Sequence, residues 1–227
     1  MNIGIFGTGM VGQTLAGKLV ELGHDVIVGT RDVAATMAQT EPNPYGFPAF
    51  SVWLQQNPGA KIGTFAEAAR HAEVVLNATN GAGSQAALAQ AGEAKLNGKI
   101  LIDISNPLDF SQGMPPTLTV CNTDSLGEQI QRAFPAVKVV KALNTVTASL
   151  MVNPRQLVGG EHDLLIGGND AAAKAQVASW LTAWFGWKQI IDLGDITAAR
   201  GMEMYLPLWL RLWGALGTGV FNVKVVK

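Results

Sequence analysis

Short runs of aliphatic and β-branched residues recur along the chain at Asn2–Phe6, Asp25–Val28, Lys61–Thr64, Glu73–Asn77, Lys99–Ile104, Lys138–Leu143, Asp163–Ile166 and Gln189–Leu193. Most are separated by segments of helical composition, such as "GQTLAGKLVELG", "FAEAARHAEV" and "AAAKAQVASWLTAWFG". Strands that alternate with helices predict right-handed crossovers and a doubly wound, mostly parallel α/β sheet. Ligands of such sheets lie beyond the carboxyl ends of the strands, so the loops after these runs carry the candidate chemistry. "EPNPYGFPAF", with three prolines, predicts a surface insertion that is neither strand nor helix. From Gly194 the alternation stops and "DITAARGMEMYLPLWLRLWGAL" follows a helical pattern. Residues 1–193 are therefore expected to form the α/β domain and 194–227 a small helical one.

The first βα turn, "IGIFGTGMVGQTLAG", carries G-x-G-x-x-G at Gly7, Gly9 and Gly12, directly after a strand pattern and before a helix pattern. That context is the fingerprint of a Rossmann-type dinucleotide-binding domain. Gly7 permits the tight turn, Gly9 lets a pyrophosphate approach the backbone, and Gly12 lets the helix pack on the sheet. Thr8 lies within the turn, and the amides of Met10 and Val11 open a helix N-terminus, which favours anions. An acidic side chain closing the second strand would accept both ribose hydroxyls of NAD(H). Here the run ends at Val28 or Gly29, which puts Thr30 and Arg31 in the ribose-facing turn. A hydroxyl donor beside a guanidinium suits the 2′-phosphate of NADP(H). Asp32 would favour NAD(H) instead if the strand ran longer.

Three more loops fall at strand ends on the expected nicotinamide side. They hold Asn77, Thr79 and Asn80; Ser105, Asn106 and Pro107; and Asn144 and Thr145. These groups are candidates to bind the carboxamide and ribose or to orient a second ring; capping helices and turns is their other common use. The loops lack a Ser-His-Asp arrangement, a nucleophile elbow and a histidine able to protonate a carbonyl. Lys141, inside "KVVKAL", reads as a charge at the strand's margin. No catalytic side chain is assigned. Hydride transfer between two rings needs mainly proximity and alignment, so this absence favours it over carbonyl reduction.

Composition narrows the alternatives. The chain has 227 residues, 48% hydrophobic, enough for a core without disulfides or metal. Sixteen basic against seventeen acidic residues give a net charge of −1, which argues against a nucleic-acid partner. Cys121, the single cysteine, excludes a disulfide framework and is expected to be a small buried residue. His24, His71 and His162 lack ligand spacing, so no metal site is expected. The amino terminus has no signal-peptide pattern, and Tyr205–Phe221 is interrupted by Pro207 and Arg211, so a cytoplasmic protein without a membrane span is expected. Trp209, Leu210, Leu212, Trp213, Leu216 and Phe221 would lie around much of one helix, which calls for cover on more than one side and points to a homodimer. Met202, Leu206 and Trp209 are candidate walls of an acceptor pocket. Asp195 reads as an N-cap, Arg200 and Glu203 as a pair one turn apart, and Pro207 as a kink.

"GTGMVG", "GHDVIVGTRD", "KALNT" and "LGDITAARGMEMYLPLWL" resemble the F420-dependent NADP oxidoreductase family. They are also similar to the cytosolic reductase domains of the STEAP metalloreductases. The resemblance covers nearly the whole chain, and the spacing of Gly194, Arg200, Glu203 and Pro207 is its most specific part. It implies an NADP(H)-binding Rossmann domain, a short C-terminal domain, and hydride exchange with the deazaflavin F420 or with FMN or FAD. Thr8, Thr30 and Arg31 correspond to family positions that receive the adenosine 2′-phosphate. Two departures stand out: Val33 to Thr36 lack a further basic residue, and Asn144 replaces a histidine found in the F420 enzymes. A reductase of a small imine or hydroxy acid, and a non-catalytic NADP(H)-binding sensor, remain as alternatives.

Overall fold

The structure, a computed structural model, describes residues 1–43 and 46–226. Pro44 and Tyr45 of the proline-rich insertion, and Lys227, lie outside the described residues. The strands are β1 (Asn2–Phe6), β2 (Asp25–Thr30), β3 (Ala60–Thr64), β4 (Val74–Asn77), β5 (Ile100–Asp103), β6 (Leu108–Asp109), β7 (Thr117–Leu118), β8 (Lys138–Ala142), β9 (Asp163–Gly168) and β10 (Gln189–Asp192). The helices are α1 (Met10–Glu21), α2 (Val33–Ala38), α3 (Phe50–Gln56), α4 (Phe65–His71), α5 (Gly81–Ala91), α6 (Glu93–Leu96), α7 (Leu126–Ala133), α8 (Ala148–Val152), α9 (Ala171–Phe185), α10 (Ala199–Met204) and α11 (Leu206–Leu216).

Eight strands form one sheet in the order β3-β2-β1-β4-β5-β8-β9-β10. All neighbours run parallel except β8 and β9. This is the expected doubly wound Rossmann-type sheet, with its eight main strands on the eight apolar runs. The short ribbon of β6 and β7 pairs antiparallel outside it, and its two-residue strands are too brief for a periodic signal. Central strands read as unbroken apolar runs because both faces are covered. One face packs Ile3, Ile5, Leu15, Leu19 and Val28 with Val177, Leu181 and Trp187. The other packs Phe6, Phe65, Val75, Leu88, Leu101 and Ile130. The order reverses at β1, which has β2 on one side and β4 on the other, and this switch point opens the crevice where such sheets take ligands.

After β10 the chain turns through a short 3₁₀ segment, Ile196–Ala198, into α10 and α11, and Asp195 caps that turn as expected, accepting from the Thr197 amide at 2.9 Å. Pro207 does not kink a continuous helix: it stands in the first turn of α11, where its missing N–H is harmless, and Tyr205 separates the two helices. Arg200 and Glu203 do not pair. The Arg200 guanidinium grips Glu128 on α7 through Nε at 2.9 Å and Nη2 at 2.6 Å, and this contact holds the Glu128 carboxyl below its ordinary range. Cys121 is exposed, not buried. Among the described residues, no helix is long and apolar enough to cross a membrane.

Lys141 is the largest departure from expectation. It lies fully buried within β8, its ammonium 2.8 Å from Asp103 of β5, 2.8 Å from Glu203 of α10 and 2.5 Å from the Ser105 carbonyl. Burial disfavours its charge, but the two carboxylates outweigh that and hold its pKa above the ordinary lysine value. Removing the ammonium strands two buried carboxylates. Lys141→Met should therefore destabilise the protein by about 3–5 kcal/mol in chemical denaturation. Adding Glu203→Gln to that variant should recover part of the loss, because one unpaired charge is removed.

Candidate functional site

Two hollows meet over the carboxyl ends of β1 and β4 and share Gly9, Ala78, Thr79, Asn80 and Ala82. The first, about 560 Å³, runs toward β2 past Gly7, Thr8, Gly29, Thr30 and Arg31. The second, about 690 Å³, runs toward β5 and β8 and is lined by Met10, Val11, Asn106, Asn144, Thr145, Leu206 and Trp209, among others. Together they form a groove along the strand ends, divided by the glycine turn.

That turn is built as its glycines require. Gly7 has φ +112° and lies where a Cβ would come within 2.6 Å of the Ala78 carbonyl oxygen. A Cβ on Gly12 would run into the Gly7 carbonyl, so Gly12 is a packing residue beneath the groove and not part of its lining. Gly9 differs, because a Cβ there meets nothing within 4 Å and would project into open space. The helix that follows has no side-chain cap and no acidic residue in its first turn. Its first amides are free for an anion, aided by the helix dipole. In contrast, α5 is capped by Asn80, whose Oδ1 accepts from the Gly83 amide at 2.8 Å.

On the β2 side the strand runs to Thr30, longer than its apolar run. Asp32 nevertheless does not reach the groove, because its carboxylate caps α2 through the Ala35 amide at 2.9 Å. Thr36 donates to the Asp32 carbonyl at 2.7 Å, which leaves the Thr30 hydroxyl to donate to Thr36 at 2.8 Å. Thr30 therefore lines the hollow with its proton already committed. Arg31 is exposed at the rim and forms no ion pair among the described residues.

The loops on the other side divide between lining and support. Asn77 does not face the groove. Wholly buried, it donates to Ser84 at 3.2 Å and Asp103 at 2.9 Å and accepts from the Thr79 hydroxyl at 2.7 Å. Met202 is likewise buried in α10 away from the lining, and only its carbonyl acts here, accepting from Asn144 Nδ2 at 3.2 Å. Thr79, Asn80, Asn106, Asn144, Thr145, Leu206 and Trp209 do line the second hollow. Leu143, just before Asn144, has φ +64°, uncommon for a large side chain. This strained turn swings the chain off β8 and brings Asn144 and Thr145 over the strand ends. Asp109, the last residue of β6, and Phe110 after it also line this hollow. The sequence offered no signal for them beyond their closeness to the Asn106 loop.

A crystal structure from Arthrobacter sp. FB24, provisionally described as an F420-dependent NADP reductase, is 58% identical with a TM-score of 0.95, and each chain covers 100% of the other. The chain belongs to the F420-dependent NADP oxidoreductase family. A family model described as "NADP oxidoreductase coenzyme F420-dependent" matches residues 2–107, the half that holds the glycine turn. F420-dependent NADP reductase of Methanothermobacter marburgensis is 29% identical over 93% of this chain and 92% of its own length. Metalloreductase STEAP3 of Rattus norvegicus is 30% identical over 92% of this chain, which spans 38% of that longer protein.

As a member of this family the chain is an NADP-dependent oxidoreductase, with NADP(H) as its cofactor. The groove offers an anion an uncapped helix N-terminus with an open approach at Gly9, and it carries the Arg31 cation at the rim of the first hollow. When bound, NADPH supplies hydride from its nicotinamide ring.

Gly9→Ala tests this arrangement with little effect on folding, since the added methyl has open space. Its thermal unfolding should match the wild type, while NADPH binding, followed by nucleotide fluorescence, should be lost. Normal binding would make the turn structural only.

Proposed function

We propose that the chain passes hydride between NADP(H) and a planar acceptor ring, the deazaflavin F420 or a flavin such as FMN or FAD. The observation that supports this most directly is the second hollow, where an amide-lined floor at Asn106 and Asn144 faces an apolar wall that includes Val146, Leu206 and Trp209. A flat ring laid against the nicotinamide would rest on that wall. In this reading residues 194–227 supply the acceptor side and residues 1–193 bind the cofactor. Asp109 is the one titratable side chain among the described lining residues. The Ser111 amide and hydroxyl hold its carboxyl below the ordinary range, so near neutral pH it is ionised and has no proton to give. A reductase of a small imine or hydroxy acid needs a proton donor beside its substrate; ring-to-ring transfer does not. Its single cysteine requires no oxidising compartment, and we take the reaction to be cytoplasmic.

The same reading assigns the 2′-phosphate to Arg31 and the turn amides, with Thr8 and Thr30 beside them. It also takes the outer face of α11 as a homodimer interface. Leu208 and Leu216 are each 56% exposed and Trp213 is 37% exposed, on a helix that buries Leu206 alone. The chain thus buries Leu206 and half-buries Trp209, Leu210 and Leu212, which leaves one side of α11 open, and a second copy is the economical cover for it.

The acceptor is tested by following NADPH oxidation with F420, FMN, FAD and ferricyanide in turn. F420 or a flavin should sustain turnover; activity confined to small imines would favour the other reductase, and none with any acceptor would favour a sensor. In the same assays Arg31→Ala should weaken NADPH at least tenfold, about 1.4 kcal/mol, and hardly change NADH. Equal losses for both would sink the phosphate assignment. By light scattering the wild type should have about twice the 23.9 kDa chain mass, and Trp213→Glu should yield monomer or precipitate. A wild-type monomer at micromolar concentration would rule out the interface.

A further inference from the structure

Asn144 is 3% exposed and lines the floor of the second hollow. Its amide is oriented by neighbours that cannot exchange roles. The Met202 backbone carbonyl only accepts, so the Asn144 atom 3.2 Å from it must be Nδ2. Asn106 is anchored in the same way: its Nδ2 donates to the Asn144 backbone carbonyl at 3.0 Å. That leaves Asn106 Oδ1 to accept from Asn144 Nδ2, also at 3.0 Å. Both N–H bonds of Asn144 are thereby used. Flipping either amide would set donors against donors or oxygens against oxygens.

Asn144 Oδ1 is the atom left over. It is buried and has no hydrogen-bond partner among the described residues. An unsatisfied buried amide oxygen is costly, so a strained, doubly anchored geometry that produces one calls for a reason. Trp209, which walls the same hollow, carries another buried polar atom without a partner among the described residues, its indole Nε1.

We infer that Asn144 Oδ1 accepts a hydrogen bond from the carboxamide NH₂ of the nicotinamide and so fixes the rotation of the ring and the face that carries hydride. The inference rests on the NADP(H) reading of the groove. The carboxamide NH₂ is the only hydrogen-bond donor on the nicotinamide ring. The cofactor also lies directly across the strand ends, where Asn144 emerges from β8. An acceptor ring has to lie above it, against Leu206 and Trp209. The amide that faces the nicotinamide is in turn held by α10, so the C-terminal helices orient the cofactor as well as walling the acceptor side.

The test is equilibrium binding of three ligands to the wild type and to Asn144→Ala: NADP⁺, its 3-acetylpyridine analogue, and 2′,5′-ADP. The analogue replaces the carboxamide NH₂ by a methyl group, and 2′,5′-ADP lacks the nicotinamide half. The wild type should bind the analogue roughly tenfold more weakly than NADP⁺. Asn144→Ala should bind NADP⁺ roughly tenfold more weakly than the wild type does and no longer distinguish it from the analogue, with 2′,5′-ADP unchanged. Equal wild-type affinity for NADP⁺ and the analogue overturns the inference, and that comparison needs no variant to fold. Discrimination that survives in Asn144→Ala, with only the KM for the acceptor raised, overturns it too, by moving Oδ1 to the acceptor. If neither NADP⁺ nor 2′,5′-ADP binds the wild type, the cofactor reading itself falls and the inference with it.

Discussion

The buried ammonium of Lys141 is the tie on which the rest of the site depends. Three acceptors from three parts of the chain meet it: Asp103 of β5, the Ser105 carbonyl beyond it, and Glu203 of α10. One positive charge among two carboxylates leaves an excess negative charge, and the surrounding structure offsets it with further donors. Glu203 also accepts the Leu126 and Gly127 amides at the start of α7, at 2.8 and 3.0 Å, where the helix dipole favours an anion. Asp103 takes Asn77 Nδ2 and the Ser105 hydroxyl, at 2.9 and 2.7 Å. Such a cluster adds little net stability over an apolar core, but it tolerates one arrangement only. That arrangement draws α10 down onto the ends of β5 and β8, with Met202 beside Glu203 and its carbonyl against Asn144.

Much of the architecture was legible in the chain because its signals are local. A strand buried on both faces writes itself as an apolar run, as β1 and β4 do, and the other sheet strands keep enough of that pattern to be found. The glycine turn was legible for the same reason, since a positive φ at Gly7 and close backbone approaches at Gly7 and Gly12 are demands that one residue type meets. What stayed hidden depends on partners distant in sequence. Nothing near Lys141 marks it as buried, for its counter-charges come from Asp103 and Glu203. Arg200 and Glu203 stand at helical spacing, yet each has a better partner elsewhere, Glu128 and Lys141. Asn77 and Asn144 are the same residue type at the ends of two parallel strands, β4 and β8, that flank β5. Only the packed structure shows that one is spent within the core and the other opens on the groove.

Asp32 shows how a local rule can hold while the inference drawn from it needs repair. β2 does run longer than its apolar run, the condition under which Asp32 was expected to favour NAD(H). The carboxylate instead caps α2, and the chain turns it away from the ribose side. The same turn commits the Thr30 proton to Thr36. The charge at that end of the groove therefore rests on Arg31, with Thr30 contributing shape more than a donor.

The two walls of the second hollow differ in how firmly they are held. Its floor is tied into the sheet by the deeply buried Lys141 cluster and left-handed turn at Leu143, and by the Asn106–Asn144 pair. Its far wall is α11, which buries only Leu206 and leaves Leu208, Trp213 and Leu216 in contact with solvent. A helix so lightly packed belongs to the low-stability end of a protein's local unfolding range, whereas the floor belongs to the high end. On the proposed reading, cofactor geometry would follow from the fold of one chain, and the position of an acceptor ring from how α11 is held. A second copy laid on the exposed face of α11 would stiffen that wall without touching the floor. Assembly and acceptor binding would then be coupled through one helix.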